Sequence, residues 1–371
     1  MKFYPYGHQH IDEEDIAAVV EVLRSDYLTT GPKVAEFEKA ICDYTGAKYC
    51  VTVSSATAGL HIAALAAGFT AGNEVITSPM TFVSSANCAR FAGADVVFAD
   101  IDPETACIDP QEIEKRITGK TKGIVAVHYA GQSCDMEKIA AIAKQHNLKV
   151  IEDAAHAIGS DYKDTKVGCC KYSDMTVFSF HPVKTITTGE GGAVTTNSKE
   201  LYEKLLAYRS HGIHREKDYP AHFYEMRELG FNYRMTDIQA ALGVSQIRKL
   251  DKFKARRREI VDFYNKNLGL PHVIERGYSN ACFHIYPVLV ENRDEFFAKA
   301  HENGLGLQVH YIPVHTQPYY RQFGYNWGDY PRAEEYYKHT VSLPLYPALS
   351  DDDVVDVILR LKSLELPKVH K

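Results

Sequence analysis

The sequence predicts an α/β fold: a mainly parallel sheet of seven strands in a large first unit, followed by a smaller α+β unit. Three observations carry this. Between residues 50 and 200, short β-branched runs recur at 50–53, 74–77, 95–99, 123–128, 150–152, 175–180 and 193–196. Helix-compatible stretches at 58–67, 82–93, 110–117 and 136–146 separate several of them. Near-continuous apolar strands alternating with helices mark a sheet buried on both faces. The last two runs are joined without a helix, so one strand is expected to run antiparallel.

The remaining elements follow in chain order. Residues 12–25 place apolar positions at helical spacing among acids, and 32–45 reads as a second helix. After Asn197 the chain is expected to be mostly helical through about 267. The stretch 250–268 carries Lys252, Lys254, Arg256, Arg257 and Arg258, which reads as a solvated helix face. From about 282 a second unit begins: a strand at 284–290, a helix at 293–303, a strand at 308–311 and a Tyr/Pro-rich segment. A closing helix at 351–364 has the acidic first turn that the helix dipole favours. The expected division is 1–250 for the large unit and 251–371 for the small one.

Composition excludes several functions. The 371 residues carry 42 basic and 48 acidic side chains, a net charge of -6. A general nucleic-acid binder needs a basic surplus instead. No apolar run reaches about 18 residues, so no membrane span is expected. The opening MKFYPYGHQHIDEED has no apolar core of a secretory signal. Eight cysteines without a C-x-x-C pair read as reduced thiols of a cytoplasmic protein. His310 and His315 lack a neighbouring Cys or acid, so no metal site is expected.

Ligands of open parallel sheets bind at the carboxyl ends of the strands. Three such ends carry chemistry. Ser54-Ser55-Ala56-Thr57-Ala58-Gly59 follows the first run; its hydroxyls and helix N–H groups suit a phosphate, or plain N-capping. Asp153-Ala154-Ala155-His156 follows the fifth. A carboxylate there can cap a helix, hold a metal or pair with a cationic ring. Ser179-Phe180-His181-Pro182-Val183-Lys184 follows the sixth and precedes Gly189-Glu190-Gly191-Gly192. Lys184 is either a surface lysine or a desolvated, nucleophilic one. Together, a phosphate cradle, a strand-end Asp and a loop Lys are the parts that pyridoxal phosphate requires.

At these blocks the sequence resembles the DegT/DnrJ/EryC1/StrS sugar aminotransferases, whose fold is that of aspartate aminotransferase (type I). Further carriers are Tyr27-Leu28-Thr29-Thr30-Gly31-Pro32, Pro79-Met80-Thr81-Phe82 and Gly230-Phe231-Asn232-Tyr233-Arg234-Met235. The resemblance spans nearly the whole chain. It implies that Lys184 forms the Schiff base with pyridoxal phosphate and carries protons. Asp153 would pair with the pyridine nitrogen, and His156 would lie near the phenolic oxygen. Phe82 would stack on the ring. Ala56, Thr57 and Ser179 would hold the phosphate. Asn232 would reach the neighbouring subunit's phosphate, which implies a homodimer with shared sites. Related dehydratases carry a histidine in place of the lysine; Lys184 therefore favours transamination.

Within the family, the similarity is to the branch of pseudaminic-acid biosynthesis. It rests on Tyr4-Pro5-Tyr6-Gly7, on His181 to Lys184, and on His310 to His315 with Pro318-Tyr319-Tyr320. That resemblance implies L-glutamate as donor and a UDP-linked 4-keto-6-deoxy-N-acetylhexosamine as acceptor, aminated at C4. The sequence leaves open dTDP- or GDP-linked keto-sugars, amination at C3, and a regulator that binds the cofactor without turnover. Tyr6, Tyr27, Tyr311, Tyr319 and Tyr320 could stack on a base or sugar. Asp26, Leu28, Thr29, Arg234, His315 and Pro318 complete the expected substrate contacts.

Overall fold

The computed structural model describes residues 2–215 and 218–364. Seven strands form the central sheet: β1 (Tyr49–Val53), β2 (Glu74–Thr77), β3 (Asp95–Phe98), β4 (Thr121–Val127), β5 (Lys149–Asp153), β6 (Met175–Ser179) and β7 (Gly192–Thr196). Their order across the sheet is β1-β7-β6-β5-β4-β2-β3. β7 runs antiparallel to β1 and β6, while the others are parallel. The direct β6-to-β7 connection thus yields the one reversed strand of this sheet, as expected from the missing helix. Every residue of β6 and β7 is buried.

Local chemistry sets the helix starts. Ser55 accepts from Ala58 N and begins the helix Ala56–Ala66. Ser350 and Asp353 form a capping box at the helix Asp351–Ser363, whose first turn is Asp351, Asp352 and Asp353. Such caps satisfy N–H groups that the helix itself leaves open.

Residues 197–267 are less helical than expected. Helices Lys199–Arg209, Asp237–Ile247 and Leu250–Leu268 are present. Between the first two lies a short antiparallel pair, Ile213–His214 with Glu225–Met226. Gly212 turns the chain with φ +68, and a Cβ there would lie 1.8 Å from Glu228 O. Only glycine allows that close passage, so a helical continuation fails. The expected strand at 308–311 reduces to one bridge, Gln308 with Ser342.

The C-terminal core gathers Val288, Phe296, Leu343, Val357 and Leu361 around the strand pair Tyr286–Leu289 and Thr340–Leu343. The helix Leu250–Leu268 belongs to two cores. Leu250 and Phe253 pack with Phe37 and Phe180, whereas Ile260, Val261 and Tyr264 pack with the C-terminal cluster. The N-terminal segment crosses in the other direction. Tyr4–Pro5 pairs with Leu305–Gly306, and Asp15 meets Lys249 at 3.1 Å. This strap carries Tyr6 to the sheet's carboxyl edge.

Candidate active site

The carboxyl ends of β1, β5 and β6 open into a cavity of about 880 Å³. Its walls include Tyr6, Ala56, Thr57, Phe82, Asp153, His156, Ser179, Lys184 and Tyr311. These nine expected site residues come from six separate stretches of the chain.

The first wall is a helix start. Ser55 uses its side chain on Ala58 N at 3.1 Å, so both readings of this motif hold at once. The cap satisfies one N–H and leaves those of Ala56 and Thr57 without intrahelical partners. Gly192 of β7 runs against this turn; a Cβ there would lie 2.7 Å from Ala56 N. Thr57 Oγ1 and Ser84 Oγ lie 2.8 Å apart. Open N–H groups, hydroxyls and the positive helix end together suit a phosphate.

Asp153 ends β5 and is only 5% exposed. Its Oδ2 accepts from Ser85 Oγ at 2.6 Å, and its Oδ1 from Ala155 N at 3.1 Å. Ser85 is in turn linked to Thr81 at 2.6 Å. A buried carboxylate held by neutral donors favours a cationic partner in the cavity.

Lys184 sits in the turn after β6, its N donating to His181 O at 2.9 Å. Burial lowers its amine to about 8, while the Asp153 charge acts in the opposite direction. The amine therefore holds a substantial neutral, nucleophilic fraction near physiological pH. Three buried histidines surround it. His156 Nε2 meets Tyr311 OH at 2.9 Å, and His310 Nδ1 meets Ser342 Oγ at 2.8 Å. Burial, with the nearby Lys184 charge, holds His156 and His284 well below the ordinary histidine range and His310 at about 3. All three rings are neutral, so Lys184 is the titrating base of this group.

A family model matches residues 9–362, nearly the whole chain. The chain belongs to the DegT/DnrJ/EryC1/StrS aminotransferase family. It is a pyridoxal-phosphate aminotransferase of fold type I. The donor set fits that cofactor: helix N–H groups would hold its phosphate, Asp153 would face its ring nitrogen and Lys184 would reach its aldehyde carbon. Among relatives, the spore coat polysaccharide biosynthesis protein SpsC of Bacillus subtilis is 43% identical, spanning 98% of this chain and 97% of that one. The UDP-4-amino-4,6-dideoxy-N-acetyl-beta-L-altrosamine transaminase of Campylobacter jejuni is 39% identical over 99% of this chain and 98% of that one. The solved structure of Helicobacter pylori PseC, an aminotransferase involved in the biosynthesis of pseudoaminic acid, superposes with TM-score 0.91 at 34% identity, covering 98% and 99% of the two chains.

The structure of this aminotransferase places other expected contacts outside the cavity wall. Asp26, Tyr27, Leu28, Thr29, Asn232 and Arg234 are not among its lining residues. Thr29 bridges Thr236, and Asp237 N donates to Leu28 O at 3.0 Å. His315 is fully buried and its Nε2 pairs with Glu334 at 3.0 Å. That carboxylate also accepts from Gly328 N and Tyr330 N, which turns His315 into the core. Pro318 starts a short helix, Pro318–Arg321. Within it Tyr320 is buried, donating to Asn87 at 2.7 Å, while Tyr319 is exposed. Packing at the 314–321 segment thus places His315 and Tyr320 in the core, and none of these side chains is part of this chain's cavity wall.

Ser85, His284, His310 and Glu190 were absent from the expected site. For His284 the available signal was a lone polar side chain within the apolar run Ala281–Val290. For Ser85 there was none beyond its place three residues after Phe82.

Proposed function

We propose that this enzyme moves an amino group from L-glutamate to C4 of a UDP-linked 4-keto-6-deoxy-N-acetylhexosamine. The coarser activity, sugar amination on nucleotide-linked sugars, follows from its family and relatives. The observation that carries the reading is the desolvated Lys184 amine facing a large cavity together with Asp153 and an open helix N-terminus.

When bound, pyridoxal phosphate supplies an electron sink and an amino carrier. The protein's residues do the rest. Ala56 and Thr57 N–H, with Ser179, anchor the phosphate. Asp153, fixed by Ser85 and Ala155, favours a protonated ring nitrogen. Lys184 Nζ removes the proton from the donor's α-carbon and returns one to C4 of the sugar. Tyr6 and Tyr311, from the N-terminal strap and the C-terminal unit, offer aromatic faces to the substrate. The division into units 1–250 and 251–371 and a cytoplasmic setting belong to the same reading; the free thiols support the latter.

A panel of 4-keto UDP-, dTDP- and GDP-sugars with glutamate tests the substrate. Turnover is expected with the UDP-linked N-acetylhexosamine. No turnover of that sugar sinks the substrate assignment and leaves the transaminase standing. The Bacillus relative, of higher identity and named for a spore coat polysaccharide, supports a different nucleotide-linked keto-sugar as the second reading. The intact Lys184, Asp153 and Ser179 argue against a cofactor-binding regulator.

The reading includes a homodimer with shared sites. Tyr27 (56% exposed), Leu28 (49%), Met226 (64%) and Leu229 (76%) leave large apolar side chains open on the chain surface. Such exposure fits burial against a partner. Asn232 and Arg234, outside this chain's cavity wall, then serve the partner's cavity. Mixing Lys184→Ala with Asn232→Asp subunits tests this. Each alone is inactive. Refolded together, they regain about a quarter of wild-type activity, because half the dimers carry one intact site. No recovery from the mixture refutes shared sites.

A further inference from the structure

Lys184 has a close partner in the cavity. Its Nζ lies 3.4 Å from His284 Nε2, contributed by a residue 100 positions later in the chain. Among the described residues, this is the side chain within hydrogen-bond distance of Nζ. His284 is 3% exposed, and its Nδ1 is buried without a partner. A neutral ring carries one N–H. Facing an amine that is largely an ammonium, Nε2 is the bare accepting nitrogen, and Nδ1 holds the proton.

The ring is held from behind. His284 N donates to Ala130 O at 3.0 Å. The carbonyls of Phe283 and His284 accept from Arg257 Nη1 at 3.2 and 3.1 Å, and the same nitrogen reaches Leu345 O at 2.9 Å. Arg257 is fully buried, and its Nε and Nη2 have no partner. A guanidinium buried on carbonyls alone is costly to the fold. What it secures is the path of the chain at 283–284 against residue 345. On its other flank the His284 ring packs against His156, centroids 4.5 Å apart. Backbone, guanidinium and ring contact leave His284 little freedom to turn from Lys184.

We propose that His284 is a positioning residue for Lys184: its Nε2 accepts a hydrogen bond from the amine, aims it into the cavity and steadies its charged form whenever the amine is free of the cofactor. This rests on Lys184 being the reacting amine of the transaminase. The titratable groups facing Lys184 are Asp153, His156, His284 and His310. Asp153 favours the ammonium by charge; the histidines are neutral, and His284 alone of them accepts from it. Removing that acceptor leaves desolvation less opposed, so the amine titrates lower.

Competitive acetylation of the full-length protein stripped of cofactor, read by mass spectrometry of the Lys184 peptide across pH, tests this without any turnover. The wild-type midpoint is expected near 8. His284→Phe and His284→Leu, which lack an acceptor, lower it by about one unit. His284→Gln, which keeps one, restores it. In the holoenzyme, His284→Phe lowers kcat about tenfold with an unchanged KM for glutamate, and His284→Gln recovers most of that loss. If His284→Phe does not fold, His284→Leu decides. Wild-type midpoints in both apolar variants overturn the proposal. A shifted midpoint in a protein that aminates no keto-sugar sinks the functional reading while leaving the Lys184–His284 pair in place.

Discussion

Lys184→Ala is expected to lower turnover by about four orders of magnitude, since it removes both nucleophile and proton carrier. The visible absorption of the bound cofactor should change with it, because the lysine adduct is lost. Stability should move the opposite way. Burial lowers the folded-state amine from 10.5 to about 8. Below about 8, the folded chain must hold a desolvated ammonium, which opposes folding. Between 8 and 10.5 the unfolded state binds more protons, so wild-type stability rises with pH through this window. Lys184→Ala therefore raises Tm by on the order of a few degrees at pH 7, and the gain fades by pH 10.5. Thermal melts of the cofactor-free protein at both pH values check this. A lower Tm for the variant at pH 7 would show that holding the desolvated ammonium is not a net cost to the fold.

Asp153→Asn is the second large effect, with kcat expected to fall by about a thousandfold. The carboxylate charge is lost, but an amide oxygen remains to accept from Ala155 N, as Oδ1 does at 3.1 Å. The Ser85 hydroxyl can reverse its bond to meet the new amide. The fold should thus persist, and cofactor should still bind through the helix N-terminus. A separate observable follows from the charge. Asp153 raises the Lys184 amine, so Asp153→Asn moves the Lys184 midpoint below its wild-type value. Steady-state kinetics and lysine labelling report the two effects independently. Full activity in Asp153→Asn would remove Asp153 from the chemistry.

The parts of the site legible in the sequence are those that follow a strand within a few residues. Asp153 ends β5, Ser179 ends β6, and Ser55 to Thr57 follow β1. A parallel sheet brings all such ends to one edge, so strand periodicity alone places them together. The antiparallel β7 was legible for a similar reason: no helix stands between 180 and 192. Other features depended on contacts far apart in sequence. The chain after Asn197 reads as mostly helical, but a Cβ at Gly212 would lie 1.8 Å from Glu228 O, and the turn there breaks the helical run. Arg257 reads as one of several solvated charges, since helical spacing around it is polar. Its burial arises because the chain at Phe283, His284 and Leu345 presents three carbonyls at one point. His315 and Tyr320, expected toward substrate, found Glu334 and Asn87 instead.

The sequence by itself determined the sheet and set Ser55 to Thr57, Asp153 and Lys184 at or just after its strand ends, because local periodicity encodes those positions; their expected roles toward a cofactor came from the family resemblance. Only the tertiary structure decided what surrounds the Lys184 amine. His284 reaches it from the C-terminal unit, while His310 and Tyr311 from the same unit and Tyr6 from the N-terminal strap line the same cavity. Those contacts close through shared cores and one buried guanidinium. Their physical cause is packing between segments about 90 to 180 residues apart, which no local pattern records.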